Sequence, residues 1–559
     1  MEKIILKYAL QNAVKYGGKA NIGAVIGKII AEDPSSKDNI KQLVPTINKV
    51  IKEVNALGKE KQLKKLQEIA PELLEEKEHK ERGLSELPNA KKGGVVLRLA
   101  PFPSGPLHIG NARPAIINDE YAKKYNGKLL LVIDDTIGSE EKMIVKEAYD
   151  LIIEGLKWLK VDYDKIYYKS DRLEIYYKYA EELIKKDKAY VCFCSADELR
   201  DNRLKKKESE HRRKSISENL KNWKDMIKGS YKEGKAVLRI KTSMQDKNPA
   251  FRDRVLFRIS NREHPRVKNK YPVWPLLEFS WAIDDHLLGI THVIRGKELM
   301  IESDMEKFIW DIFGWKHAEL IHMGLLQLEG VKISKSKSSK EVKSGIYFGW
   351  DDPRTFSLQS LKRRGIQPEA IRQFCLGFGL TQAEIMAPID SLYAENKKLI
   401  DATSYRYFFV GNPKKIKIEK APQREVELDL HPDNKKGGRL FSVNDDFYIT
   451  EDDYNKFENN RLYRLMDCLN FIKKKDMFVF DSLEYEKYKD KGTRIVHWLP
   501  TKDVLEVEVL MPDASVVKGF GEKNLEKVKA GDTIQLERFG FCRLDKKEKN
   551  KLVFWFTHK

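Results

Sequence analysis

A loop rich in proline and glycine constrains the fold of this chain more than any other feature. The stretch APFPSGPLHIGNARPA, residues 100–115, holds four prolines, two glycines and one histidine. This density of proline and glycine indicates a loop with a fixed path. The apolar run VVLRL precedes the loop and the helix-like run AIINDEYAKKY follows it. A strand that enters a rigid loop and then a helix presents backbone N–H groups and a helix N-terminus, an arrangement that suits a phosphate.

A second apolar run, KLLLVIDDT, completes a strand–helix–strand unit. Such a unit predicts a parallel sheet. Leucine, isoleucine and valine are nearly continuous in both runs, which is typical of strands covered on both faces. Ligands of such sheets bind at the carboxyl ends of the strands. We therefore expect the loop 100–110 and the acidic pair Asp134–Asp135 to lie on the same rim.

The charge of the chain predicts a polyanionic partner. Its 559 residues carry 104 lysines and arginines against 85 aspartates and glutamates, a formal net charge of +19. A surplus of this size is typical of nucleic-acid-binding proteins, although a highly charged proteome produces the same count. No apolar run approaches the roughly 18 residues of a membrane span. Five cysteines are too few, and odd in number, for a disulfide framework, so we expect a cytoplasmic protein without a membrane segment.

The pattern of apolar residues divides the chain into six segments. Helical periodicity comes first, then a parallel-sheet pattern interrupted by an insertion of short charged elements, then helices, and finally short alternating strands separated by turns. The predicted segments are a helical domain 1–92, the first half of an α/β domain 93–189, an inserted domain 190–275, the second α/β half 276–340, a helical connecting domain 341–412 and antiparallel β-barrels 413–559.

Two motifs resemble the signatures of class I aminoacyl-tRNA synthetases. PSGPLHIGNA resembles their HIGH signature, and KISKS within LEGVKISKSKSS, residues 328–339, resembles their KMSKS signature. The two lie more than 200 residues apart, as the split Rossmann-like catalytic fold of that family requires. The resemblance implies that His108, Lys332 and Lys335 stabilise negative charge during catalysis. It implies ATP binding by Pro103, Ser104, Gly105, His108, Gly110, Asn111, Lys332, Ser334 and Lys335.

Longer stretches resemble the glutamyl/glutaminyl branch of that family, and archaeal-type glutamyl-tRNA synthetases in particular, over nearly the whole chain. Among them are RLAPFPSGPLHIGNAR and AIDDHLLGITHVIRGKE. Arg295 matches the position where glutamyl enzymes carry arginine, whose fork fits the carboxylate that distinguishes glutamate from glutamine. Arg98 matches a second substrate-contacting arginine. The resemblance also assigns Asp134 to the substrate's ammonium group and Leu277 to the wall of the amino-acid pocket.

Four positions depart from the pattern of the family. Asn111 replaces the second histidine of HIGH, and Val132 and Ile137 replace an arginine and an aspartate of the acidic strand. Leu277 stands where the pocket usually has a tyrosine. Asparagine can donate a hydrogen bond but carries no charge. These departures leave open a degenerate relative that binds tRNA without charging it.

The stretch YVCFCSADEL resembles the start of a zinc-binding module in the acceptor-end insertion. Cys192, Cys194 and His211 would supply three ligands of a tetrahedral site. Ser209 stands where the family often has cysteine, and serine is a poor zinc ligand. Zinc therefore stays open against two ordinary cysteines in a strand. The adjacent basic run RLKKKESEHRRK suits the phosphates of a tRNA 3′ end.

The resemblance implies that the chain activates L-glutamate with ATP and transfers it to the 3′ end of tRNA(Glu), with Mg²⁺ accompanying the ATP. Catalysis would come from positioning and electrostatics, and the C-terminal barrels would bind the anticodon. We expect a monomer, and tRNA(Gln) stays open as a second acceptor. A glutaminyl-tRNA synthetase, a catalytically impaired tRNA-binding relative and another nucleotidyltransferase with the same nucleotide fold remain the alternatives.

Overall fold

The chain divides into two structural units, and the first is helical as its periodicity predicts. The computed structural model describes residues 2–15, 18–32, 39–73, 84–138, 143–331, 335–549 and 551–559. The units are Met1–Gly83 and Leu84–Lys559. The described part of the first unit has its own apolar core, which includes Ile5, Val25 and Ile47. Its helices are α1 Glu2–Lys15, α2 Ile22–Glu32, α3 Ile40–Ala56 and α4 Lys59–Ile69.

The second unit begins with the predicted parallel sheet. β1 (Val96–Leu99) pairs in parallel with β2 (Lys128–Ile133), and β2 pairs in parallel with β3 (Lys165–Tyr168). α5 (Ile109–Lys124) connects the first two strands, and α6 (Ala148–Trp158) lies between the second and third. The apolar residues of β1 and β2 are almost completely buried. The loop 100–108 therefore leaves β1 at its carboxyl end and enters α5.

An inserted antiparallel sheet interrupts this fold. α7 (Leu173–Lys185) leads into four antiparallel strands in the order β4-β5-β6-β7. Apolar residues of this sheet share one core with α7 and β2. The elements of the insertion are β4 Ala189–Cys192, α8 Ala196–Leu204, α9 Ile216–Ile227, β5 Val237–Ile240, β6 Val255–Ile259 and β7 Val273–Pro275.

The chain then returns to the first strand. α10 (Leu277–Leu287) leads to β8 (His292–Gly296), and the backbone N–H of Thr291 donates to the carbonyl oxygen of Val96 at 3.0 Å. This contact places β8 beside β1. β8 pairs in parallel with β9, and β10 with β11. The elements that follow are α11 Met300–Phe313, β9 Glu319–Met323, β10 Leu326–Leu328, α12 Lys335–Lys343, α13 Leu358–Arg363, α14 Pro368–Leu376, β11 Ile385–Ala387 and α15 Ile389–Ile400.

Strands dominate the rest of the chain, as predicted. Two seven-stranded sheets have the orders β21-β18-β19-β20-β14-β17-β22 and β12-β25-β26-β27-β23-β24-β13, and β15 and β16 form a separate hairpin. The elements are β12 Arg406–Tyr407, β13 Phe409–Gly411, β14 Pro413–Glu419, β15 Arg424–His431, β16 Asn434–Val443, β17 Asp446–Thr450, α16 Glu451–Asn455, β18 Leu462–Leu465, β19 Leu469–Lys474, β20 Met477–Ser482, α17 Tyr485–Lys489, β21 Gly492–Val496, β22 Leu499–Pro500, β23 Val504–Leu510, β24 Val516–Glu522, β25 Thr533–Leu536, β26 Gly540–Glu548 and β27 Lys551–His558.

Most strand pairs of this region are antiparallel, as predicted, but the two large sheets also contain parallel pairs, which the sequence analysis did not predict. The pairs β12–β25, β14–β20, β18–β21 and β23–β27 are parallel. In each pair the two strands are separated in the chain by further elements, and parallel neighbours require such a long crossover. Short alternating strands fix the pairing of adjacent hairpins but not the return of a distant strand. Within the described ranges, no helix has the length and apolar character needed to cross a bilayer.

A buried ion cluster joins the β15–β16 hairpin to the last sheet. The Arg439 guanidinium donates to Glu522 at 2.7 Å and to Glu537 at 2.8 Å. Arg439 and Glu522 are each 1% exposed. Burial raises the pKa of Glu522, and Arg439 opposes that rise. Each charge is therefore tolerated in the interior because its partner is present.

We predict that Arg439→Ala lowers the free energy of unfolding by about 3–5 kcal/mol, because it leaves Glu522 buried without its partner. Urea unfolding followed by tryptophan fluorescence measures this, since every tryptophan of the chain lies beyond residue 83. Lys518→Ala is the control, because Lys518 forms a solvent-exposed pair with Glu508 and such pairs contribute less than about 1 kcal/mol. Equal effects of the two substitutions would contradict the prediction.

Candidate active site

A cavity of about 690 Å³ lies where the carboxyl ends of β1, β2 and β8 meet. The sequence analysis predicted this rim as the ligand site. Pro103, Gly105 and Gly110 belong to the same loop and helix start but do not form part of the wall. The predicted site residues that line the cavity are Arg98, Ser104, His108, Asn111, Asp134, Leu277 and Arg295.

His108 caps the N-terminus of α5. Its Nδ1 accepts a hydrogen bond from the backbone N–H of Gly110 at 3.1 Å, and Asn111 Oδ1 accepts one from the backbone N–H of His108 at 3.3 Å. This reciprocal pattern is a capping box. With Nδ1 as the acceptor, the neutral imidazole carries its hydrogen on Nε2. Asn111, a departure from the family signature, thus takes part in the cap that orients His108.

Two glycines of this loop stand where a side chain would crowd its neighbours. A Cβ at Gly105 would lie 2.8 Å from the indole of Trp350, closer than Cβ atoms approach other atoms. A Cβ at Gly110 would lie 3.0 Å from the His108 ring and 3.4 Å from the carbonyl oxygen of Leu326. Any side chain at Gly105 would therefore displace Trp350, and one at Gly110 would press on the His108 imidazole.

Arg98, in β1, forms a buried bidentate pair with Asp285 of α10. Its Nη2 donates to Asp285 Oδ2 at 2.9 Å and its Nε donates to Asp285 Oδ1. Burial lowers the pKa of the Arg98 guanidinium, but Asp285, together with Glu306 and Asp134, outweighs burial and raises this pKa above its usual value. The sequence analysis missed Asp285, although it stands in the quoted stretch AIDDHLL.

Asp134 follows β2 and pairs with Lys169, which the sequence analysis also missed. Lys169 Nζ lies 3.2 Å from Asp134 Oδ2 and donates to Ser280 Oγ at 2.7 Å. Thr136 Oγ1 donates to Asp134 Oδ1 at 3.1 Å. Burial lowers the pKa of Lys169, and Asp134 works against that change. The carboxylate predicted for the substrate's ammonium is thus already close to one cation.

The neighbours of Asp134 in the acidic strand are structural. Asp135 accepts hydrogen bonds from Ser170, through N at 2.8 Å and Oγ at 2.7 Å, and from Tyr149 Oη at 3.1 Å. Burial raises the pKa of Asp135, and the Ser170 hydrogen bonds oppose this. Val132 and Ile137 are buried in the core shared with the inserted sheet. The two departures in this strand therefore fill the interior.

Arg295, in β8, is held by two residues of α11. Nη1 donates to Glu306 Oε1 at 2.7 Å, and Nη2 donates to Ser303 Oγ at 2.5 Å. Burial raises the pKa of Glu306 to about 7, although Arg295 works against this. Ser303 Oγ also lies 2.7 Å from His322 Nε2. The predicted glutamate-reading arginine is therefore positioned by a chain of polar contacts that the sequence analysis missed.

The KISKS motif lies partly within the described residues. Lys332 and Ser334 lie outside the described residues. Lys335 is the first residue of α12. Lys340 and Lys343 of the same helix line the cavity. The helix that begins within KISKS thus brings positive charge to the site.

The predicted metal ligands meet in the inserted domain. The ligand atoms of Cys192, Cys194 and His211 all lie within 4.8 Å of one another. His211 Nδ1 is 3.7 Å from Cys192 Sγ and 3.6 Å from Cys194 Sγ. Ser209 Oγ lies 3.5, 3.4 and 3.1 Å from Cys192 Sγ, Cys194 Sγ and His211 Nδ1. Tetrahedral zinc sites have edges of about 3.3–3.8 Å, so these atoms fit zinc.

Comparisons with known proteins identify the family of the chain. The family described as tRNA synthetases class I (E and Q), catalytic domain, matches residues 94–402. The anti-codon binding domains of the same class match residues 404–486 and 495–545.

Similarity to individual relatives extends over the full length. The Glutamate--tRNA ligase of Methanocaldococcus jannaschii is 43% identical over 564 residues, which cover 100% of both chains. Those of Pyrococcus abyssi and Pyrococcus furiosus are each 45% identical, over 571 and 577 residues, again with 100% of both chains covered. The chain therefore belongs to the class I tRNA synthetases for glutamate and glutamine, and these three full-length relatives are glutamate–tRNA ligases.

Proposed function

We propose that the chain activates L-glutamate with ATP, releases pyrophosphate, and transfers the glutamyl group from the adenylate to the 3′ end of tRNA(Glu). One observation carries this proposal. Arg98 and Arg295, two buried arginines, line the same cavity as His108 and the N-terminus of α5. A dicarboxylic amino acid and a nucleotide would therefore meet there. The full-length similarity to glutamate–tRNA ligases supports the same reaction.

The nucleotide would lie against the loop 100–111. The α-carboxylate of glutamate attacks the α-phosphate of ATP, and pyrophosphate leaves with the former phosphoanhydride electrons. His108 Nε2–H and the positive end of the α5 dipole would stabilise the charge that builds up on the phosphate oxygens. Pro103, Ser104, Gly105, Gly110 and Asn111 would shape this loop, with Lys332, Ser334 and Lys335 contacting the phosphates. Mg²⁺ bound with ATP would shield phosphate charge.

The amino acid would lie between the three strand ends. Arg295 would bind the side-chain carboxylate through its guanidinium fork. Arg98 would be the second contact, Asp134 would meet the ammonium group, and Leu277 would form the apolar side of the pocket. The positions of these four residues in one cavity favour glutamate over glutamine, because a neutral amide does not compensate a buried guanidinium. They also argue against a relative that only binds tRNA.

The tRNA would contact several parts of the chain. We propose that the C-terminal sheets read the anticodon and that the inserted domain receives the acceptor end, in line with the net charge of +19. The six-domain division, the monomeric state and the cytoplasmic location stay predictions. Glutamylation of tRNA(Gln) also stays open.

Zinc is the metal that the inserted site would hold. Cys192 and Cys194 would bind as thiolates, His211 through Nδ1 and Ser209 through its hydroxyl. Arg239 Nη1 lies 3.8 Å from Cys192 Sγ and would support its negative charge. Zinc bound there would tie β4 to the segment after α8, a structural role away from the cavity.

Replacing Arg295 tests the proposed glutamate contact. Arg295→Lys keeps the charge and loses the fork, so kcat/KM for glutamate should fall about 10- to 100-fold, since a hydrogen bond to a charged group contributes about 1.5–3 kcal/mol. Glutamate-dependent ATP–pyrophosphate exchange in the presence of tRNA(Glu) measures it. Arg172→Lys is the control, because Arg172 pairs with Asp284 outside the cavity wall. An Arg295→Lys enzyme with wild-type kcat/KM would contradict the contact.

Replacing His108 tests the proposed charge stabilisation. His108→Ala should lower kcat about 100- to 1,000-fold, the usual cost of removing a donor from a developing oxyanion, with little change in KM for glutamate. Single-turnover formation of the adenylate separates this step from product release. His317→Ala, at an exposed position, should leave kcat unchanged. A loss confined to KM would show that His108 only binds substrate.

Metal analysis tests the zinc site. Protein expressed with added zinc should contain about one zinc per chain, and Cys194→Ser should lose it. Ser209→Cys should slow the removal of zinc by a chelator, because a thiolate binds zinc more strongly than a hydroxyl does. Cys468→Ser, a buried cysteine elsewhere, is the control. Wild-type protein with less than about a tenth of a zinc per chain would rule the site out.

A further inference from the structure

Trp281 forms a wall of the cavity that no sequence motif assigns. It lies one helical turn after Leu277 on α10, and side chains four residues apart share one face of a helix. Both residues line the cavity. The indole is 4% exposed. Leu277 replaces the tyrosine that is usual at its position, and Trp281 places an aromatic ring one helical turn later.

Three buried cations surround this single ring. The Arg98 guanidinium lies 5.2 Å from the ring centroid, Lys169 Nζ lies 4.9 Å from it, and the Arg295 guanidinium lies 4.9 Å from it. All three distances fall within the range of a cation–π contact. The three cations come from different elements: Arg98 from β1, Lys169 from the segment directly after β3, and Arg295 from β8. Trp281 is thus a shared contact of groups that the fold brings together from distant parts of the chain.

The three cations that contact the ring carry charges of the same sign, which repel one another. Among the described residues, Arg98 forms an ion pair with Asp285, Lys169 with Asp134 and Arg295 with Glu306. The negative face of an indole attracts a cation, most strongly where water is excluded. Arg98 and Arg295 therefore share a contact with one ring, in addition to their carboxylate partners.

Two hydrogen-bond donors at this point have no acceptor within the described part of the chain. They are the buried Trp281 Nε1–H and Arg295 Nε–H. A buried donor without an acceptor is unfavourable. Both belong to residues that line the cavity, so an anion that enters there could accept from them after a small rotation of either side chain.

We propose that Trp281 is a positioning residue for a dicarboxylic amino acid. Its indole holds Arg98, Lys169 and Arg295 at the spacing that the substrate requires, and this spacing sets the preference for glutamate over glutamine. The inference rests on the proposed function. Without the ring, the Arg295 side chain can shift towards Glu306, with which it already pairs, and away from the substrate.

Two substitutions distinguish the effect of the aromatic ring of Trp281 from the effect of its volume. Trp281→Leu removes the π face and should raise KM for glutamate about tenfold or more, with KM for ATP within about twofold of wild type. Trp281→Phe keeps a ring and should restore most of the loss. The ratio of kcat/KM for glutamate to that for glutamine should fall with the first change and recover with the second. ATP–pyrophosphate exchange with tRNA(Glu) present measures all of these.

A matched control accounts for the loss of a buried indole. Trp223, in α9, is fully buried, its Nε1 also lacks an acceptor within the described residues, and it does not line the cavity. Trp223→Leu should leave KM for glutamate within about twofold of wild type. The same rise in KM for Trp223→Leu and Trp281→Leu would overturn the proposal, since it would show a general effect on folding.

If Trp281→Leu does not fold, the same test can be made with fluorinated tryptophan incorporated at position 281. Added fluorines weaken the attraction for cations with little change in shape, so KM for glutamate should rise step by step with their number. A constant KM across this series, in an enzyme with wild-type activity, would overturn the inference alone. A wild-type chain without glutamate-dependent exchange would overturn the proposed function, and this inference with it.

Discussion

The buried pair between Arg98 and Asp285 is the contact on which the site depends. It joins residues 187 positions apart, one in β1 and the other in α10. The inserted sheet lies between them in the chain, so the pair closes the fold across that insertion. A buried charge is tolerated only when its partner is in place. The two halves of the parallel-stranded fold therefore cannot separate at this point without leaving both charges uncompensated, and the cavity forms where they meet.

The same principle shapes the rest of the cavity wall. Lys169 compensates Asp134, and Glu306 compensates Arg295. The wall is thus rich in charge and nearly balanced. A zwitterion with an extra carboxylate can replace one protein partner with its own group and keep that balance. Burial raises the pKa of Glu306 to about 7. If a substrate carboxylate pairs with Arg295, Glu306 can therefore take up a proton and does not keep an unpaired charge.

The sequence predicts the rim of the site but not its interior. The loop 100–110 and Asp134 could be placed on one rim because the carboxyl ends of parallel strands meet at one edge. The roles expected of Arg98, His108 and Arg295 came from the resemblance to the synthetase family. Lys169, Glu306 and Trp281 could not be placed in either way, since no motif contains them and their roles come from side-chain contacts inside the folded site. Asn111 shows the limit of a motif, because its contribution to the helix cap depends on backbone geometry. The parallel pairs of the C-terminal sheets were missed for the same reason: strand patterns do not reveal long crossovers.

Charging of separate tRNA(Glu) and tRNA(Gln) transcripts, with labelled glutamate and labelled glutamine in parallel, tests this account most directly. The buried guanidinium of Arg295 in the cavity predicts that glutamate is attached to tRNA(Glu) and that glutamine is attached to neither tRNA. Glutamate on tRNA(Gln) as well would mean that the anticodon region accepts both tRNAs, and would leave the amino-acid site as described. Transfer of glutamine, or of neither amino acid, would contradict the assignment of the cavity to glutamate.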